Sequence, residues 1–162
     1  MKEIKFPNLQ AVLQDYIEEL KIEYENNLLD SDRVASWELI NNIEIVTSFE
    51  GYDYWIGFNL KDYWKYVEYG TKPHFPPVDA LLRWIEIKPV LPYPNSKGKL
   101  PTPKQLAYLI GRKISEVGTE GSHDLAEANK TIHQKYEELI QMALDEDIMD
   151  NIDTIVKVLF VK

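Results

Sequence analysis

Glu68 stands among four aromatic side chains, Tyr63, Trp64, Tyr66 and Tyr69, and this is where the chain comes nearest to acid–base chemistry. Rings crowded round a carboxyl group strip it of water, which makes Glu68 the best single candidate for a general acid. Glycan hydrolysis by such an acid needs a second carboxylate facing it across the substrate. With 27 Asp and Glu in the chain, pairs arise by chance, and sequence cannot place one in a cleft. The simpler reading is a carboxylate hydrogen-bonded to the Gly70–Thr71 turn or paired with Lys65 or Lys72.

Other chemistry finds less support. His74, His123 and His133 lie far apart with no HExxH spacing, so a metal site would have to be assembled by the fold. GxGxxG, GxxxxGK[ST] and GxSxG are all missing, which leaves phosphate cradles and a nucleophile elbow without a basis. There is no Cys, which removes disulfides, thiolate ligands and a cysteine nucleophile. No cofactor is expected. The rings themselves suit contact: large, rigid side chains at this density hold surfaces together. Stacking on single-stranded nucleic acid would need cations. Only Lys61, Lys65 and Lys72 lie close by, against Asp62 and Glu68, in a chain of net charge −9.

Hydrophobic content of 44% and charged content of 28% are globular values. A length of 162 residues is expected to make one domain, 1–162, with a Pro- and Lys-rich arm at 89–101 inside it. The first residues carry charge before any apolar run, and no stretch approaches the ~18 apolar residues of a membrane span. A soluble protein is the expectation. Charge is uneven. Asp15, Glu18, Glu19, Glu23, Glu25 and Asp30 face Lys21 alone, whereas Lys88, Lys97, Lys99 and Lys104 occupy a stretch with no acid. These are a solvated face and a solvated loop, or surfaces that meet between subunits.

The elements that must position these residues can be read from periodicity. Leu9, Val12, Leu13, Tyr16, Leu20, Tyr24 and Leu28 mark a long amphipathic helix opening after Pro7-Asn8 and ending at Asp30-Ser31-Asp32. A short helical turn through Val34–Leu39 follows. The period then falls to two, from Ile43 to Phe49 and from Tyr54 to Leu60, a hairpin around Glu50–Asp53. Lys61 to Tyr69 is helical, with Tyr63, Tyr66 and Val67 on one side and Gly70 as a left-handed cap. Pro76-Pro77 opens a helix carrying Val78, Leu81, Leu82 and Ile85, ended by Lys88 because Pro89 follows.

Thr102, Pro103 and Gln105 form an N-cap with a capping box; the helix behind them carries Leu106, Leu109, Ile110, Ile114 and Val117 and leaves at Gly118. Ser122 starts a longer helix with Leu125, Ala128, Ile132, Tyr136, Leu139 and Ala143 inside, broken at Asp145-Glu146-Asp147. The tail from Val156 to Val161 fits either a helix or a strand. Glu68-Tyr69-Gly70-Thr71 and Glu116-Val117-Gly118-Thr119 echo one another as two similar helix exits. The expected class is α+β: a small antiparallel hairpin packed on a long N-terminal helix and several C-terminal helices.

Tyr63 and the run Tyr66-Val67-Glu68-Tyr69-Gly70-Thr71-Lys72-Pro73-His74 resemble a Tyr-x-x-Tyr-Val-Glu-aromatic-Gly-Thr-x-Pro-His signature. That signature belongs to the tail-component and head–tail joining proteins of tailed double-stranded DNA phages. Two further blocks are similar in order: Pro76-Pro77 through Leu81, Trp84 and Ile85, and Leu106–Ile110 through Ile114 to Gly118-Thr119. Val34–Leu39 resembles the family's Ala-Ser-Gly-x-Leu element, with Trp37 where Gly is usual. Together the resemblance covers roughly Leu9 to Tyr136.

The resemblance implies a structural virion protein with no catalysis and no cofactor. Its subunits form a homo-oligomeric ring, as a siphophage tail-completion ring or a connector in a short-tailed phage. Portal, adaptor or tail-tube proteins are the implied neighbours. DNA passes without specific binding, no membrane is involved, and the protein is made in the host bacterial cytoplasm. A net-negative subunit repeated round a channel repels phosphate, which fits such a passage. In this reading Tyr63, Trp64, Tyr66 and Tyr69 anchor the core or a subunit contact, Glu68 fixes the turn, and Gly70 with Thr71 allows it. His74 and Pro76 set the path of the chain, and Lys97 and Lys99 at the arm tip reach an acidic neighbour. The rivals are a small glycan hydrolase with Glu68 as its acid, and a monomeric binding or regulatory module.

Overall fold

The apolar pattern after Pro7 forms α1 (Pro7–Asp30), and the polar Asp30-Ser31 pair ends it as expected. The computed structural model describes residues 4–31, 37–50, 53–88, 90–94 and 96–160. Along the chain follow α2 (Glu38–Asn41), β1 (Glu44–Glu50), β2 (Asp53–Asn59), α3 (Trp64–Tyr69), β3 (Gly70–Thr71), α4 (Val78–Ile87), α5 (Pro103–Val117), β4 (Thr119–Glu120) and α6 (Asp124–Phe160). The fold is α+β. No described helix is long and apolar enough to cross a membrane. Of the helical turn expected over Val34–Leu39, residues 34–36 lie outside the described residues, as does the hairpin tip, Gly51 and Tyr52.

The chain groups into two compact units. The first holds α1 through Leu28, the hairpin and α6. Helices α1 and α6 run antiparallel: Asn27 Nδ2 donates to the Asp124 carbonyl at 3.0 Å, while at the other end the Asn8 and Leu9 amides donate to the Asp147 carboxylate at 3.2 and 2.8 Å. The first amides of a helix have no partner within it, and its N-terminus carries partial positive charge, so an anion is well placed there. Midway, Tyr16 and Tyr136 meet edge to face at 5.5 Å, and Tyr16 Oη donates to Asn129 Oδ1 at 2.8 Å. The core stripe is Tyr16, Ile17, Leu20, Tyr24 and Leu28 on α1 with Ala128, Ile132, Tyr136 and Ala143 on α6. Leu139 stays exposed.

Glu19 of the acidic α1 face is drawn into this interface. Its carboxylate pairs with Lys135 and accepts Tyr136 Oη at 2.9 Å. Those hydrogen bonds hold the Glu19 pKa below its ordinary value, and burial with the Glu19 contact pushes Tyr136 up to about 12. Burial also raises Tyr16.

The acidic break expected at Asp145-Glu146-Asp147 does not occur, because α6 runs 37 residues without interruption. Asp in a helix interior costs only about 0.5–0.7 kcal/mol relative to Ala. Here Asp147 gains two amide hydrogen bonds at the start of α1. The tail open to either state is helical as far as Phe160.

Strands β1 and β2 pair antiparallel with Phe49 opposite Tyr54, Thr47 opposite Ile56 and Ile45 opposite Phe58. The period-two residues therefore share one face. Tyr54 meets Phe49 at 5.3 Å and Phe6 edge to face at 6.0 Å. On the other face Trp55 lies over Gly57, its ring 3.2 Å from where a Cβ would stand.

The second unit spans Leu29–Asn41 and Asp62–His123. In it α4 packs on α5. Thr102 and Gln105 close the capping box reciprocally, at 3.3 and 2.9 Å. The α5 stripe is rotated from expectation: Ala107 and Gly111 are buried, Leu106, Ile110 and Ile114 flank them, and Leu109 and Val117 are exposed. Small residues four apart admit a close neighbour, and a Cβ on Gly111 would lie 3.0 Å from the Phe75 ring and 3.3 Å from Leu81.

Candidate functional site

The two echoing helix exits fold against each other. Strand β3 pairs antiparallel with β4, Gly70 opposite Glu120 and Thr71 opposite Thr119. The two threonine hydroxyls are 2.9 Å apart. Gly70 has φ 71°, ψ −167° and Gly118 φ 74°, ψ −158°. This region of backbone space is essentially reserved for glycine. It also differs from the left-handed cap expected at Gly70, because each chain must leave its helix straight into a strand. Reciprocity is steric as well: a Cβ on Gly70 would stand 2.1 Å from the Thr119 carbonyl oxygen, and one on Gly118 would stand 2.0 Å from that of Thr71.

The end of α3 is held by the chain just beyond β4. The Val67 carbonyl accepts the Ser122 amide at 2.9 Å and its hydroxyl at 3.2 Å, and the Glu68 carbonyl accepts the His123 amide at 3.1 Å. A six-residue helix cannot persist alone; here its last carbonyls are satisfied from 55 residues away. His123 takes φ 57° to make the turn, and its ring lies edge-on to Tyr69 at 6.4 Å.

With α3 fixed this way, Glu68 is turned inward and the tyrosines outward. Glu68 is 2% exposed, whereas Tyr66 and Tyr69 are each 65% exposed and Tyr63 36%. Trp64 is half-buried, 6.0 Å from the Tyr69 ring. Of the two roles expected for them, core or subunit contact, Tyr66 and Tyr69 therefore do not fill the first, and of Tyr63, Tyr66 and Val67 only Val67 turns partly inward. The helical period across so short a segment did not distinguish a stripe of tyrosines for contact from one for burial. Glu68 is thus almost entirely screened from solvent.

Beyond the clasp, His74 Nδ1 donates to the Lys72 carbonyl at 2.9 Å, which tightens the turn before Pro76. Phe75 then lies against Tyr108 of α5 at 5.7 Å, over Gly111. A groove of about 660 Å³ opens beside the clasp, with Tyr66, Val67, Leu81, Trp84, Ile110 and Ile114 as its apolar lining and Lys88 and Glu120 adding opposite charges. A mostly apolar lining with a few polar groups is the usual make-up of a pocket that holds a ligand or a partner's side chain. Among the described residues no cluster of three or more His, Asp or Glu is placed to hold a metal. Lys97 and Lys99 are far along the exposed arm and not part of the groove.

Sequence reasoning found Gly70, Thr71, His74 and both exits, but not that the exits pair, nor the parts of Gly111, Ser122 and His123. The echo itself was the available signal. No family model, curated protein or solved structure matches the chain.

Proposed function

We propose that this chain is a structural virion protein of a tailed double-stranded DNA phage, the subunit of a homo-oligomeric ring that completes the tail or joins it to the head. The observation that carries this reading is the outward presentation of Tyr66 and Tyr69 on a backbone clasped by the pairing of Gly70-Thr71 with Thr119-Glu120. Rigidly held, solvent-facing tyrosines lose little entropy when a partner covers them. A second support is Trp37, at the position where the resembled family usually has glycine. It takes φ 60°, a conformation glycine adopts without strain. In this reading portal, adaptor or tail-tube proteins cover the ring's two ends, and DNA passes a lumen of like charge.

Replacing both Tyr66 and Tyr69 by Ala tests the reading. The variant should melt with the parent, since surface changes of this kind stay within about 0.5 kcal/mol, yet lose assembly when examined by electron microscopy. Unimpaired assembly by the variant would remove the tyrosine face from the proposal.

A further inference from the structure

The C-terminal part of α6 is built inside out. Its inward positions are polar: Asp147 is 1% exposed, and half-buried Asn151 donates from Nδ2 to the Lys5 and Asp147 carbonyls at 2.8 Å. Its apolar residues face solvent, with Ile148, Met149, Ile152, Ile155 and Val156 between 40% and 63% exposed. Ile148, Ile152 and Ile155 succeed one another at steps of four and three, the spacing of a seam that packs on another apolar segment. Asp145, Glu146, Asp150 and Asp153 surround it, and Lys157 is the one cation from 144 to 157. The same helix from a second copy would set acid against acid.

The arm between α4 and α5 has the opposite character. Leu91, Tyr93 and Leu100 are 89%, 92% and 63% exposed. From Lys88 to Lys104 there are four lysines and no acid. We propose that the arm of one copy docks on the outward α6 seam of the next, with Leu91 and Tyr93 against Ile148 and Ile152 and the lysines toward Glu146 and Asp150. This rests on the ring reading above and names the contact that builds the ring. The α1 face expected to receive the arm is a poorer match. Glu19 is engaged by Lys135 and Tyr136, Glu25 by Lys21 and Glu18 by Gln14, and only Ile22 and Leu29 are large apolar side chains exposed there. Two different surfaces meet, so each copy keeps one of each for a further neighbour. Contacts of this head-to-tail kind generate rings when the rotation closes.

The chain has no Cys, so two single-cysteine variants of the full protein, Tyr93→Cys and Met149→Cys, can be mixed and oxidised. A disulfide between copies is expected, with far less from a control mixture of Tyr93→Cys and Glu137→Cys. Lys97→Glu with Lys99→Glu should weaken association about tenfold, the equivalent of two surface pairs lost, and Glu146→Lys with Asp150→Lys should restore it. Rings visible by electron microscopy without the Tyr93–Met149 link would overturn this contact and leave the ring standing. Linked pairs that never grow further would keep the contact and sink the ring. If the two cysteines placed in one chain close within that chain at every dilution, the arm covers its own helix and the proposal fails.

Discussion

The Asp147 carboxylate accepts the Leu9 amide at 2.8 Å, so the first turn of α1 is capped by a residue 138 positions downstream. Asp147 is nearly inaccessible and takes the Asn8 amide as well. Asp147→Ala strands two donors and should destabilise the protein by about 1–3 kcal/mol. Asp147→Asn keeps one acceptor oxygen and should cost less. Denaturant unfolding checks the order; equal losses would mean that the acid acts through packing and not as a cap.

The two helix-exit glycines give a sharper steric test. Gly70→Ala places a Cβ 2.1 Å from the Thr119 carbonyl oxygen in a conformation closed to L-residues, and should cost more than about 3 kcal/mol, strain and overpacking together. Gly98 shares the positive φ, 72°, but has nothing within 4 Å. Gly98→Ala should therefore cost only about 1–2 kcal/mol. If the two variants melt together, the clasp contributes nothing beyond φ.

The Glu19–Tyr136 contact makes stability depend on pH at both ends. Glu19 has a lowered pKa, so its contribution is present above 4.5 and is lost as pH falls through its folded value. Tyr136 is raised, so its contribution is complete below 10 and is lost as pH climbs toward 12. Tyr16, also raised, adds to the alkaline limb. Tyr136→Phe should flatten the alkaline fall and shrink the acid one, read by melting temperature from pH 3 to 12. An unchanged alkaline limb would put that titration elsewhere.

Glu68→Gln addresses the enzyme alternative. A carboxylate 2% exposed, on a helix whose tyrosines are turned outward, is a structural group in this account. The variant should lose stability modestly, by about 1–3 kcal/mol if a partner is left unmatched, and should assemble as the parent does. A glycan-hydrolysing activity that survives purification and disappears in this variant would favour the hydrolase.

How much was legible followed the range of the interactions. The Thr102–Gln105 capping box and the existence of the hairpin around Glu50–Asp53 were readable because their signals are local. The 37-residue α6 was not, since its acidic stretch looks like a break unless one knows that Asp147 meets the start of α1. At the site, Gly70 and Thr71 were visible as a helix exit, but their pairing with Glu120 and Thr119 is long-range, Thr71 and Thr119 lying 48 residues apart. The burial of Glu68 in place of its tyrosine neighbours was hidden because α3 has only six residues, too few for a hydrophobic period to declare its face.

The central claim is that this subunit builds a ring, and the direct measurement is the mass of the purified chain by native mass spectrometry from nanomolar to millimolar concentration, with electron microscopy of the largest species. The account predicts assembly that grows with concentration and ends in one closed ring of fixed subunit number around a channel, weakened by salt and by Tyr66→Ala with Tyr69→Ala. A single species of 19.0 kDa across the whole range would contradict it.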